Sequence, residues 1–369
     1  MPKNVNMSRE RLRRAVECKT PDRVPITIRL EYAAARWAGI SFKDFALDPL
    51  KASNAIEQTY EKMGGWDAVD ASWTLGTRWS RLEAAKVQFP GVDFPEQLPH
   101  RVVDYPVMTP EDYGLAVKGG LNSLATVLLD RLGKKIDRST SEEVFISFTP
   151  IYRHWDEEKG VPVYRGGMVR LPFVQFSMWR TWRGMAHDLL KQGDKVKEAC
   201  DAVLDEAITI GEKHSRIVGC KYIFMPCGRA SATFLSEKLF LEYVFPHLKK
   251  ITEKLVQDGF TPRLHCDTDW EPFLQFFREL PKKSCILELS PATNIKRAKE
   301  LLGGHMCLYG NVPRSLLSAG SPASVETYCK KLIDNVGRDG FILANDDIVP
   351  YNARFENVKM LIDAGKKYG

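Results

Sequence analysis

What most constrains this chain is an alternation of two kinds of segment. From residue 221 onward, short apolar runs are each followed by a stretch with helical spacing. Lys221-Tyr222-Ile223-Phe224-Met225 precedes a helical 236–258, and Thr261-Pro262-Arg263-Leu264-His265 precedes 270–279. Cys285-Ile286-Leu287-Glu288-Leu289 precedes 295–302, Met306-Cys307-Leu308-Tyr309 precedes 324–336, and Phe341-Ile342-Leu343-Ala344 precedes 356–367. Buried parallel strands read as continuous apolar runs, and each needs a crossover, usually helical, to reach the next. The same pattern opens the chain, with strands over 24–28 and 66–70, helices over 30–37 and 49–63, a strand expected over 143–148, and helices over 173–190 and 194–218.

Strands alternating with helices, with no block of different composition, predict a parallel α/β fold, and the number of units favours a closed (β/α)8 TIM barrel over an open sheet. The 369 residues fit one such barrel with insertions, so 1–369 reads as a single TIM-barrel catalytic domain. Residues 7–17, read as a helix capped by Ser8, form an N-terminal extension. The stretch 89–110 is rich in Pro, Gly and Asp without periodicity, and reads as a surface excursion or lid.

Lys and Arg outnumber Asp and Glu by 53 to 47, a net charge of +6 without long basic runs, which gives no nucleic-acid footprint. No apolar run approaches the roughly 20 residues of a membrane span, and 1–14 lacks a signal-peptide core, so a cytoplasmic location is expected. The eight cysteines are scattered, with no CxxC pair, and are expected to be reduced. There is no GxGxxG and no Walker loop, which argues against a dinucleotide or NTP enzyme.

In a barrel, chemistry sits where strands end and loops begin. The richest such junction is His265-Cys266-Asp267-Thr268-Asp269-Trp270, whose donors are those of a zinc site, although Asp267 or Asp269 would equally serve as a helix cap. Asn345-Asp346-Asp347 sets two carboxylates side by side, a repulsion relieved by a cation, a bound proton or plain solvation in a turn. Cys307 reads equally as ligand or as buried thiol, in a strand that continues into Gly310-Asn311. Arg229 suits a bidentate grip on a carboxylate or phosphate, or a salt bridge between loops. Seven of the eight tryptophans, Trp270 among them, suit a flat aromatic ligand or simply pack. Arg229, Trp270, Asn311 and Asp346 are the candidate substrate contacts, and His265, Asp267 and Asp347 the candidate catalytic residues.

These motifs together carry a resemblance. The opening helix with Thr20-Pro21-Asp22-Arg23-Val24-Pro25, the late Leu264-His265-Cys266-Asp267, and Tyr309-Gly310-Asn311-Val312 all contribute. So does Phe341-Ile342-Leu343-Ala344, followed after a gap by Phe355-Glu356-Asn357-Val358. The chain resembles the uroporphyrinogen decarboxylase superfamily. The decarboxylase proper has an Arg-rich loop after Val-Pro where this chain has Arg29-Leu30-Glu31-Tyr32-Ala33, so the resemblance leans to the corrinoid-dependent methyltransferases, including methylcobamide:coenzyme M methyltransferases and O-demethylase components.

That resemblance implies a small aromatic, O-methylated methyl donor and a corrinoid supplied by a separate partner protein. It also implies zinc, held by His265, Asp267 and Asp347 with Cys307, although Asp267 and Asp347 stand where the family has thiolates. Zinc would act as a Lewis acid on the leaving oxygen; without it, a protonated Asp or His265 is the general acid. A lyase acting on a small carboxylic acid and a barrel kept as a binding partner are the competing functions, and a homodimer is left open.

Overall fold

A computed structural model of the chain describes residues 3–134 and 139–369. Seven strands form one parallel sheet, ordered β2 (Ala68–Val69), β1 (Ile26–Ile28), β9 (Phe341–Asn345), β8 (Cys307–Val312), β7 (Ile286–Leu289), β6 (Thr261–Cys266) and β5 (Tyr222–Pro226). The sheet curls until its two edges face each other across 162–169. On one side Val69 N donates to Pro162 O at 3.0 Å and Tyr164 N to Val69 O at 3.1 Å; on the other, Gly166 N donates to Tyr222 O at 2.8 Å and Val169 N to Phe224 O at 3.0 Å. This irregular eighth strand closes a (β/α)8 barrel, as the alternation predicts.

The eighth strand is not the one expected. Residues 143–148 lie inside the helix Ser139–Arg153, because Val144, Phe148, Ile151 and Tyr152 recur at helical spacing and bury one face while Ile146 stays exposed. Residues 162–169 escape a pattern search because two glycines interrupt them. Both are required, since a Cβ on Gly167 would stand 1.9 Å from Gly211 O on the long helical segment Pro172–Ile217, which packs there. That segment itself bends at Thr181 and Gln192. The expected helix over 236–258 likewise breaks at Val244 into Glu237–Tyr243 and Phe245–Gln257.

The N-terminal helix starts earlier than expected, spanning Lys3–Val16, so Ser8 does not cap it. Instead Ser8 Oγ donates to the buried Asp67 at 3.0 Å, a carboxylate that Arg11 and Arg23 also hold. The excursion over 89–110 is tied down by a second, antiparallel sheet, β3 (Lys86–Gln88) and β4 (Arg101–Val103). Phe89, Val107 and Met108 are buried, so the excursion is not wholly at the surface. No helix among the described residues is long and apolar enough to cross a membrane.

Candidate active site

At the C-terminal ends of the barrel strands lies a cleft of about 430 Å³, partly roofed by His100 and by the β4 segment through Tyr105. Parallel strands fix which residues reach it: the register aligns His265 with Glu288 and Glu288 with Tyr309, so one layer of side chains crosses β6, β7 and β8 just below the opening.

On the β6 and β9 side, His265 Nδ1 lies 2.9 Å from Glu288 Oε2 and Nε2 lies 3.4 Å from Asp347 Oδ1. Burial disfavours a charged ring, but the hydrogen bonds to Asp347 and Glu288 outweigh it and lift the His265 pKa to about 10. At neutral pH this side chain is an imidazolium with both nitrogens donating. Asp347 takes further hydrogen bonds from Arg29 Nη1 at 3.0 Å and Arg314 Nη1 at 3.3 Å. Burial would raise its carboxyl, yet Arg29 and His265 hold it well below the usual carboxylate range.

The backbone at both strand ends is bent to present these groups. Asp347 has φ 51° and Thr268 φ 68°, a left-handed conformation uncommon for such residues and frequent at functional sites. Asn345 holds the first turn, its Oδ1 accepting from Arg29 N at 3.1 Å and its Nδ2 donating to Asp347 O at 3.0 Å.

Asp267 differs from its neighbours. Its Oδ1 is buried with no hydrogen-bond partner among the described residues, against the bare α-carbon of Gly228, where a Cβ would stand 2.7 Å away. Burial raises its carboxyl pKa, as does the charge of Asp347, while His265 opposes.

The other side of the cleft, formed after β1 and β2 and by 162–169, is built of arginines, and Arg263 of β6 links it to the first. Arg263, fully buried below the opening, donates to Asp70 Oδ2 at 3.0 Å and to Glu288, and stacks 3.8 Å over the Tyr164 ring. Arg165 donates to the other oxygen of Asp70 at 3.1 Å. Arg170 grips Glu83 with both nitrogens, at 3.0 and 3.3 Å. Arg29 lies 3.4 Å from Glu31, whose carboxyl burial pushes up to about 7 against the pull of Arg29. None of these was singled out from the sequence, although an Arg inside the apolar run 261–265 was a signal that a buried carboxylate waits for it.

The structure brings His265, Asp267 and Asp347 to this one cleft, with Arg229 on its wall bonded to Asp104 at 2.9 Å and to Ser177 O. Four expected site residues take other places. Trp270 is fully buried because its large indole packs among Phe240, Phe273 and Phe277, with its Nε1 donating to Asp267 O at 2.8 Å. Asn311 is buried with its amide on Ser290 O at 3.2 Å. Asp346 does not line the cleft but lies 3.5 Å from Arg314, which also holds Asp347, and burial lifts its pKa to about 6. Cys307 sits at the start of β8, paired with Ile286 two residues below the His265 layer, and burial holds its thiol well above the ordinary value.

The residues do not fit zinc. Among the described residues no three His, Cys, Asp or Glu side chains are grouped to hold a metal ion. Beyond that, the donors are engaged elsewhere: His265 meets Glu288 and Asp347 through its two nitrogens, both oxygens of Asp347 are occupied by Arg29, His265 and Arg314, and Cys307 lies two residues below this layer.

The family described as uroporphyrinogen decarboxylase matches residues 151–368, more than half of the chain. Among solved structures, a methyltransferase from Methanosarcina mazei is similar in fold, with a TM-score of 0.75 over 98% of this chain and 99% of that one. At 19% identity the likeness extends to the fold alone. No curated protein matches the sequence.

Proposed function

Because the chain belongs to the uroporphyrinogen decarboxylase family, we propose that it is a cytoplasmic methyltransferase, moving a methyl group from a small aromatic O-methylated substrate to a corrinoid on a separate protein. In this reading a general acid takes the place of zinc at the leaving oxygen. The observation that carries it is that one small cleft is lined both by His265, held between Glu288 and Asp347, and by Asp267, a buried carboxyl with one oxygen lacking a partner among the described residues. The methyltransferase of similar fold supports the choice of reaction.

The cleft, about 430 Å³, is of a size to take a small aromatic molecule, and the acceptor would be brought to its mouth on the partner protein. There a reduced corrinoid supplies the nucleophile for the methyl carbon. As the carbon–oxygen bond breaks, its electron pair stays on the oxygen, and Asp267 hands that oxygen its proton. His265, held between Glu288 and Asp347, keeps its own proton and stabilises the developing negative charge. Arg29 keeps Asp347 ionised, which keeps His265 charged.

The cleft's arginines favour a second reading, a lyase that decarboxylates a small acid with the same residues. The two are separated by incubating the protein with methoxybenzoates, with and without cob(I)alamin, and following methylcobalamin by its absorbance and carbon dioxide by release. Methylcobalamin formed only with the acceptor present is expected. Carbon dioxide released without it would replace the methyltransferase with the lyase.

A further inference from the structure

One guanidinium in the cleft lacks the counter-charge its neighbours have. Arg29 faces Asp347, Arg165 faces Asp70, Arg170 faces Glu83 and Arg229 faces Asp104. Arg78 has only a share of Glu83: its Nη2 is 3.5 Å from Glu83 Oε1, the oxygen that Arg170 Nη2 already approaches at 3.3 Å. Its Nε, like those of Arg29 and Arg170, has no hydrogen-bond partner among the described residues, but only Arg78 lacks a close carboxylate contact as well, and the side chain is 8% exposed. An unpaired buried donor on a charged group is costly, and two cations on one carboxylate leave positive charge over. Burial, then the nearby charge of Arg165, pulls Arg78 down to about 9 despite Glu83.

Its position tells what would relieve it. Arg78 follows β2, three strands round the barrel from the β6 end that carries His265 and Asp267, and it lines the same cleft. Beside its charged groups the cleft is lined by the apolar side chains of Leu75, Met168, Val174, Met178 and Phe224. We infer that Arg78 is the anchor for a substrate carboxylate, so that the molecule bound here is a small acid with an apolar, ring-sized body. Seated on Arg78, such a molecule lays its body along Met168 and Phe224 and turns its far end toward Asp267. The carboxylate supplies the negative charge Glu83 cannot give twice, and a guanidinium takes it in a planar fork. This rests on the methyltransferase reading for the fate of the molecule, but not for its binding.

The test is calorimetric titration of the whole chain with 4-methoxybenzoate and with its uncharged amide, 4-methoxybenzamide, for wild type, Arg78→Gln and Arg78→Lys. Wild type should bind the acid about tenfold or more tighter than the amide, as expected of charge-assisted hydrogen bonds in a desolvated site. Arg78→Gln should abolish that preference while leaving amide affinity in place, and Arg78→Lys should keep part of it, since a point charge replaces the fork. Equal affinity of wild type for acid and amide, binding of neither, or a full preference in Arg78→Gln overturns the assignment. If the Gln variant loses its near-ultraviolet circular dichroism, Arg78→Lys decides, an undiminished preference overturning it. No methyl acceptor is present, so acid binding through Arg78 without later methyl transfer would sink the methyltransferase reading alone.

Discussion

The two sides of the cleft are charged in different ways. On the β6 and β9 side, an imidazolium lies between two carboxylates and beside a third, Asp267, that has an oxygen without a partner. There hydrogen bonds hold the proton on His265 against burial, and burial raises the carboxyl of Asp267. On the side formed after β1 and β2 and by 162–169, the groups are guanidiniums that do not titrate near neutrality, clamped to Asp70 and Glu83. One side is arranged for proton chemistry and the other for fixed positive charge. A catalytic cleft separates these tasks because a proton donor needs a pKa near the working pH, whereas an anion anchor needs a charge that never leaves.

If this division holds, substitutions on the two sides should split in kinetics. Asp267→Asn keeps shape and polarity but removes the proton, so kcat for methyl transfer should fall by about 10²–10⁴ with KM little changed. A KM rise with kcat intact would place Asp267 among the binding groups and erase the distinction.

The sides are joined through Arg263, which reaches Asp70 on one and Glu288 on the other. Arg263→Met takes one partner from each of two buried carboxylates, leaving Asp70 with Arg165 and Glu288 with His265, and thermal melting should show a loss of about 3–5 kcal/mol. A loss below about 1 kcal/mol would mean that the two sides are built independently.

The smallest effect is expected at Glu31, the one carboxyl on the arginine side that burial pushes up, to about 7. A folded pKa above the unfolded value of 4.5 gives stability that is present below about pH 4.5 and lost as pH rises through 7. Glu31→Gln cannot ionise, so its Tm should gain on wild type at pH 8 relative to pH 5. A gain of the same size at both pH values would show that Glu31 stays ionised throughout.

How much of this was legible in the sequence follows the range of each interaction. The strand ends over 261–267 and 341–347 were marked by local pattern, and so were His265, Asp267 and Asp347 upon them. Arg78 carried no local mark, because its meaning depends on Glu83 also being engaged by Arg170, 87 residues further on. Trp270 and Cys307 look like site residues in a list of types. Only packing shows that one side chain supports the backbone of Asp267 from the core and that the other lies below the reacting layer.

The sequence by itself determined the elements, their parallel alternation and the rim where chemistry would sit, since hydrophobic period and strand direction are local properties. Tertiary structure alone decided that 162–169 closes the barrel, that Arg29 meets Asp347 across 318 residues, and which guanidinium is left short of negative charge. Those outcomes depend on register and closure, which bring together groups whose chemistry nothing in their own neighbourhoods specifies.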